Sequence, residues 1–142
     1  MKKIILALAA ACMTAVFSHS SFAEGALAVG IPQGDPNKGF RWSIQINNPD
    51  SASSAMKDCR AARNPATGKA CMLIGTFSDQ CVAVAANADG SDPVTGAGWA
   101  IAPDSATATK RAIDQCNASR NGTGRPCQLD GEKSMLCDGS AK

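Results

Sequence analysis

Gly39-Phe40-Arg41-Trp42-Ser43-Ile44 and Ala97-Gly98-Trp99-Ala100-Ile101 are two versions of one strand-like phrase, with tryptophans 57 positions apart. Each tryptophan stands 17 residues before a cysteine, Cys59 in the first case and Cys116 in the second. Each of those cysteines opens a trio. Cys59, Cys71 and Cys81 are spaced by 12 and 10, and Cys116, Cys127 and Cys137 by 11 and 10, so the trios are offset by 57, 56 and 56. Ala66-Thr67-Gly68-Lys69-Ala70-Cys71 falls against Gly122-Thr123-Gly124-Arg125-Pro126-Cys127 at the same offset. Ala26-Leu27-Ala28-Val29 lines up with Val82-Ala83-Val84-Ala85. So many coincidences at one offset indicate a duplicated unit of about 56 residues, with repeats over about 25–80 and 81–138. An open solenoid needs at least three repeats. Two are expected to pair around a pseudo-twofold axis as one domain.

The elements within a unit follow from local pattern. Residues 26–29 and 81–85 are short apolar strands. Segments dense in Gly, Pro, Asn and Asp follow them (32–39 and 87–96), and each leads into a tryptophan strand, which makes a hairpin. Asp50 or Ser51 then caps a helix whose apolar face is Ala52, Ala55, Met56, Cys59 and Ala62. Pro103-Asp104-Ser105 opens a second helix, with a stripe of Ala108, Ala112, Ile113 and Cys116. Cys71-Met72-Leu73-Ile74-Gly75-Thr76-Phe77 has the composition of the best buried strand in the chain. The unit is strand, strand, helix, strand, and the fold class is α+β.

The N-terminus is read apart from that domain. Met1-Lys2-Lys3 is basic, residues 4–17 are apolar or small, and Ser21 and Ala23 occupy the two positions a signal peptidase reads. Residues 1–23 are therefore expected to be a secretory signal, leaving 24–142 as a single domain. The apolar run is shorter than the ~20 residues that cross a bilayer, so no stable membrane anchor is expected. Leu8-Ala9-Ala10-Ala11-Cys12 loosely imitates a lipoprotein site, but Leu8 is one position too early. Losing Lys2 and Lys3 from 14 basic residues brings them level with the 12 acidic ones. That balance argues against nucleic acid recognised by bulk charge. The one histidine, His19, lies in the signal and there is no tyrosine. Ser-His-Asp and Cys-His catalysis and imidazole metal sites are thereby excluded from the remaining chain.

Cys12 also departs with the signal, leaving Cys59, Cys71, Cys81, Cys116, Cys127 and Cys137. An even number in a short exported chain is a disulfide framework, and six allow 15 pairings. Two similar halves favour pairings that respect their equivalence. One is Cys59–Cys71 and Cys116–Cys127 within the units, with Cys81–Cys137 between the halves. The other is Cys71–Cys81, Cys127–Cys137 and Cys59–Cys116. With aromatic residues only 4% of the chain, the core is thin and needs such staples.

These features together resemble the secreted bacterial domain of unknown function 4189 (DUF 4189) family. The residues that carry the resemblance are the signal, the Ala-Leu-Ala-Val strand and the Gly-x-x-Trp strand. The alanine-rich helix ending in Cys59, the Cys-Met-Leu-Ile strand, Cys-Val-Ala-Val and Gly-Ala-Gly-Trp complete it. It spans about residues 25–137 and implies no catalytic residue. Two departures stand out. The family's last strand is usually apolar after its cysteine, whereas Cys127-Gln128-Leu129-Asp130-Gly131-Glu132 is polar and carries an Asp-Gly turn signal. The loops over 32–39 and 64–70 are also longer than usual.

Candidate chemistry is sparse. No Cys-x-x-Cys is present, so the cysteines are structural. Asn87-Ala88-Asp89-Gly90-Ser91-Asp92 alternates oxygen ligands but fails the EF-hand pattern, and a hairpin turn accounts for it. Gly68-Lys69 lacks the preceding glycine and following Ser or Thr of a phosphate loop. The aspartates fall in turns and caps, their ordinary places. No cofactor or metal is expected. Arg60, Arg63, Lys69, Lys110, Arg111, Arg120 and Arg125 gather near the helices and following loops, and could form one basic face for an acidic protein partner. The expected function is an exported disulfide-rich binding module, periplasmic or secreted. An inhibitor or immunity-type protein acting on an envelope enzyme or toxin is its concrete form. The alternatives are a carboxylate-dependent envelope hydrolase and a secreted effector acting on host cells.

Overall fold

The computed structural model describes residues 25–87, 93–120 and 124–142. Residues 1–24, which include the expected signal with Cys12 and His19, and residues 88–92 of the oxygen-rich run lie outside the described residues. The chain runs β1 (Gly25–Gly30), β2 (Arg41–Gln45), α1 (Ser51–Arg60), α2 (Pro65–Lys69), β3 (Cys71–Phe77), β4 (Cys81–Ala86), β5 (Ala97–Ala102), α3 (Ser105–Ser119), β6 (Gln128–Leu129) and β7 (Met135–Cys137). Two short 3-10 turns, Pro32–Gly34 and Pro36–Lys38, lie between β1 and β2. The class is α+β, in one small domain.

Both sheets are antiparallel. The first has the order β2-β1-β3; in the second β4 is central, with β5 on one side and β6 and β7 sharing the other. β1 and β4 are buried along their whole length, because each is covered on both faces. Successive side chains of a strand point to opposite faces, and here the faces are sorted by size. Ala26 and Ala28 pack with Ala55 and Cys59 of α1, while Leu27 and Val29 point the other way. On β4, Cys81, Ala83 and Ala85 face Ala108, Ala112 and Cys116 of α3. Val82 and Val84 meet Leu27, Val29 and Phe77 in a core between the sheets, flanked by Trp42, Ile44, Trp99 and Ile101. The layers are therefore α1, first sheet, second sheet, α3.

Small residues on the helix-facing sides let the helices approach closely. Gly98 on β5 is the extreme case: a Cβ there would overlap the carbonyl oxygen of Ala112 and the backbone nitrogen of Cys116. α3 also closes the outer edge of β5. Trp99 N–H donates to the Gln115 side chain (2.9 Å) and Ala97 N–H to the Ser119 hydroxyl (3.0 Å).

The helix faces are those the sequence indicates, with Ala55 and Cys59 buried on α1 and Ala108, Ala112 and Cys116 on α3. The caps differ. Asp104 accepts from Thr107 N–H (2.8 Å). Asp50 makes no capping bond with its side chain; its own N–H donates to the Asn48 side chain (2.9 Å), whose amide in turn reaches Ser54 (3.2 Å). The loop expected over 64–70 contains α2, started by Pro65 and by Asn64 accepting from Ala66 N–H (2.9 Å).

β3 is not the best buried strand. It is an edge strand, with Met72 61% and Leu73 42% exposed. A continuous apolar run fits a strand covered on both faces, but here the small-large alternation of β1 and β4 earned the centre.

The last strand breaks where its polar residues and Asp-Gly signal indicate. β6 ends at Leu129, Gly131 takes φ 99°, and pairing resumes at β7. Val84 holds both ends of the excursion, accepting from Asp130 N–H (3.1 Å) and donating to the Ser134 carbonyl (2.7 Å). The first sheet has only a bulge at the corresponding point, between Leu27 and Ala28. Beyond it Phe77 stands opposite Gly25, and in the second sheet Cys137 stands opposite Cys81.

The disulfides are Cys59–Cys71, Cys116–Cys127 and Cys81–Cys137, the first of the two arrangements considered. One detail is corrected. Cys81–Cys137 does not join the halves, since both residues belong to the second sheet, on β4 and β7. It pins an edge strand of only three residues to its neighbour. Replacing Cys81 and Cys137 together by alanine should cost about 2–4 kcal/mol in urea unfolding, and reducing all three bonds should abolish the cooperative transition seen by circular dichroism.

Asp104 supplies a pH dependence. The Thr107 backbone N–H, then its hydroxyl, hold this carboxyl below its usual value of 3.8. The cap is therefore fully present above about pH 3.8 and is lost as pH falls through the lowered folded value. Asp104→Ala should be less stable than wild type at neutral pH, and the gap in urea midpoints should close as the pH drops below that value.

Candidate functional site

Trp42 presents an apolar body and one N–H that needs an acceptor. It stands on β2, in the first half, and finds that acceptor in the second: its indole N–H donates to Asp130 Oδ2 at 2.6 Å. Asp130 opens the excursion between β6 and β7. A single hydrogen bond thus ties the edge of one sheet to the irregular edge of the other.

Around this bond lies a groove of about 640 Å³. Its floor is apolar, made by Phe40, Trp42, Ile44 and Leu136, and its rim carries Arg41, Asp58, Asp130 and Lys133. An adjoining hollow of about 410 Å³ shares Phe40 and Arg41 and adds Arg63, Asn64 and Thr67. The two carboxylates are taken up by neutral donors. Gln45 Nε2 donates to Asp58 (2.7 Å), and Trp42 to Asp130. The cations are not. Among the described residues the ion pair is Lys110–Asp114, and Arg41, Arg63 and Lys133 have neither a hydrogen-bond nor an ion-pair partner.

The seven basic residues singled out from sequence do not form one face. Arg60 ends α1, Lys69 ends α2 and Arg63 lies between them, whereas Lys110 and Arg111 lie on α3 and Arg120 and Arg125 come after it; α1 and α3 cover opposite outer layers. Lys110 is engaged with Asp114 at 2.5 Å. The Arg120 guanidinium donates to the carbonyls of Gly124 (3.1 Å) and Arg125 (2.9 Å), so it shapes its own loop. Of the seven, none lines the groove itself, and Arg63 alone lines the adjoining hollow. The six cysteines are all bonded and present no thiol. Asn87, first residue of the oxygen-rich run, has its side-chain oxygen filled by the N–H groups of Thr95 (2.9 Å) and Gly96 (3.0 Å). Among the described residues no three His, Cys, Asp or Glu side chains are placed to hold a metal, and no helix is long and apolar enough to cross a membrane.

Arg41, Lys133 and the Trp42–Asp130 pair were missed from sequence. The signal for Arg41 was a mismatch between the halves: it occupies the place of Gly98, where the second half needs a glycine under α3. Lys133 lies in the excursion, where the second half departs from the first.

Among known families, the one described as Domain of unknown function (DUF4189) matches residues 24–132. The chain belongs to this family. The match covers the first sheet and the second as far as the middle of the excursion, so the DUF4189 domain here includes Trp42, Asp58, Arg63 and Asp130 and ends just before Lys133. No curated protein and no solved structure matches the chain.

The Trp42–Asp130 contact is testable as a tie between the halves. Trp42→Phe keeps an aromatic ring, though a smaller one, and removes the donor that the Asp130 carboxylate accepts from. A double-mutant cycle with Asp130→Ala should give a coupling of about 1 kcal/mol in urea unfolding; additive costs would mean that the bond is dispensable.

Proposed function

We propose that this protein is an exported binding module whose Trp42 groove takes an acidic segment of a protein partner, in the manner of an inhibitor or immunity-type protein. The observation that carries the reading is the groove's composition. Two cations without an ion-pair partner among the described residues, Arg41 and Lys133, flank an apolar floor that contains a tryptophan, and a third, Arg63, lines the adjoining hollow. Trp and Arg dominate binding hot spots, and unpaired like charges steer and select a partner of opposite sign. Export is supported by the signal-like residues 1–23 and by six cysteines committed to disulfides, a pattern of oxidising compartments. The site of action is then the periplasm or the exterior.

Two carboxylates in one groove, Asp58 and Asp130, favour a second reading, an envelope hydrolase. Each already accepts a bond from a neutral N–H donor, an arrangement that serves scaffolding.

Immobilised mature protein, exposed to envelope and secreted fractions, tests the first reading against the second. Wild type and Lys110→Glu should retain the same partner, while Arg41→Glu/Lys133→Glu should retain it at least about tenfold less, a loss of about 1.4 kcal/mol. Retention should also fall as salt is raised. Equal retention by all three would refute groove docking. Wall-degrading activity lost in Asp58→Asn or Asp130→Asn would establish the hydrolase instead.

A further inference from the structure

Of the three disulfides, two are enclosed and one is not. Cys59, Cys71, Cys116 and Cys127 are all buried and belong to the two outer cores. Cys81 is buried as deeply, but its partner Cys137 is partly exposed. Cys137 stands on β7, an edge strand of three residues that pairs with β4 alone. Exchange at a disulfide requires a thiolate to reach one of its sulfurs, and this bond is the one with a cysteine at the surface. The fold also does without it elsewhere. At the corresponding place in the first sheet Phe77 stands opposite Gly25, and no disulfide is made.

What the bond holds is one wall of the Trp42 groove. β7 carries Leu136 of the groove floor, and the excursion that β7 closes carries Asp130 and Lys133. Before the excursion the chain is pinned by Cys116–Cys127. Beyond β7, Asp138 N–H donates to the Gln80 carbonyl (2.9 Å) and Ser140 N–H to Asp79 (3.1 Å). Between those points the covalent tie to β4 is Cys81–Cys137. The remainder is backbone pairing of two and three residues, which is weak by itself.

We propose that Cys81–Cys137 is a site of thiol–disulfide exchange, opened in the folded protein by a dithiol reductant, and that its state sets how firmly residues 130–136 wall the groove. A thiolate of the reductant attacks the Cys137 sulfur and forms a mixed disulfide with it. Cys81 leaves as a thiolate and takes up a proton. The reductant's second thiol then loses its proton and attacks the reductant's own sulfur in the mixed disulfide, and Cys137 leaves and is protonated. The reductant ends as a disulfide, and its two electrons reside in two cysteine thiols. With the bond open, the Val84–Ser134 and Trp42–Asp130 hydrogen bonds loosen together, because both anchor the same excursion. The exchange does not depend on what the groove binds; if it binds a partner as proposed above, the reduced form binds it more weakly.

Mature protein held in dithiothreitol without denaturant, quenched at intervals with an alkylating agent and mapped by peptide mass, tests this. Cys81 and Cys137 should be labelled together, at least about tenfold faster than the other four cysteines. In the protein reduced at that bond alone, circular dichroism and the exchange of β1 amides should be retained. The Val84 amide should exchange with solvent at least about tenfold faster, and the Trp42 indole N–H resonance should move. Cys81→Ala/Cys137→Ala should show both changes without any reductant. Labelling of all six cysteines at one rate, a different pair labelled first, or an open bond with both signals unchanged overturns the proposal.

Discussion

Everything in this fold depends on two six-residue strands, β1 and β4, being buried on both faces. A sheet covered on one side only would need one apolar face. A sheet covered on both needs two, and here their depths differ. Alanine and cysteine face the helices, and Leu27, Val29, Val82 and Val84 face the other sheet. The small residues let α1 and α3 sit nearly against the backbone, which suits helices whose own contact faces are alanine and cysteine. The large ones fill the space between sheets, which side chains from both must span. With so little aromatic bulk, hydrophobic burial is spread over three thin cores, and a disulfide anchors each outer one: Cys59–Cys71 under α1, Cys116–Cys127 under α3. The inter-sheet core has none, and relies on Trp42, Trp99 and the isoleucines.

Much of this was legible in the sequence because it is written twice. The offset of 56 to 57 identified the strands, both long helices and the cysteine equivalence that narrowed fifteen pairings to two. Where the halves agree, the residues are scaffold: Trp42 and Trp99, Ile44 and Ile101, Cys59 and Cys116 all flank or fill cores. What stayed hidden was burial. The run Cys71–Phe77 looked like the centre of a sheet, but hydrophobicity alone does not say whether a strand has one neighbour or two. α2 was hidden because Pro65 and Gly68 look like loop residues, although Pro at the first turn of a helix costs nothing.

The groove was hidden for a different reason. Its floor uses shared positions such as Trp42 and Ile44, but its charged rim is built where the halves disagree. Arg41 replaces a glycine that α3 forces at position 98, and Asp130 and Lys133 belong to an excursion where the first half has only a bulge. A search guided by repetition therefore finds the frame and passes over the site. The same logic explains why the basic residues picked from helices and loops turned out scattered. α1 and α3 occupy equivalent places in their halves, and equivalence in this architecture means opposite outer layers.

The excursion at 130–134 has two consequences that pull in different directions. It brings Asp130 under Trp42 and so ties the sheets together at one end. It also breaks the second sheet's edge, leaving an interrupted strand whose last three residues would pair weakly by themselves, and Cys81–Cys137 compensates at that point. The first sheet has neither the excursion nor the bond: Phe77 opposite Gly25 completes an unbroken strand, and its outer edge remains open. The two sheets thus end differently, one closed around a charged groove and one left as an edge strand on which Met72 and Leu73 are exposed.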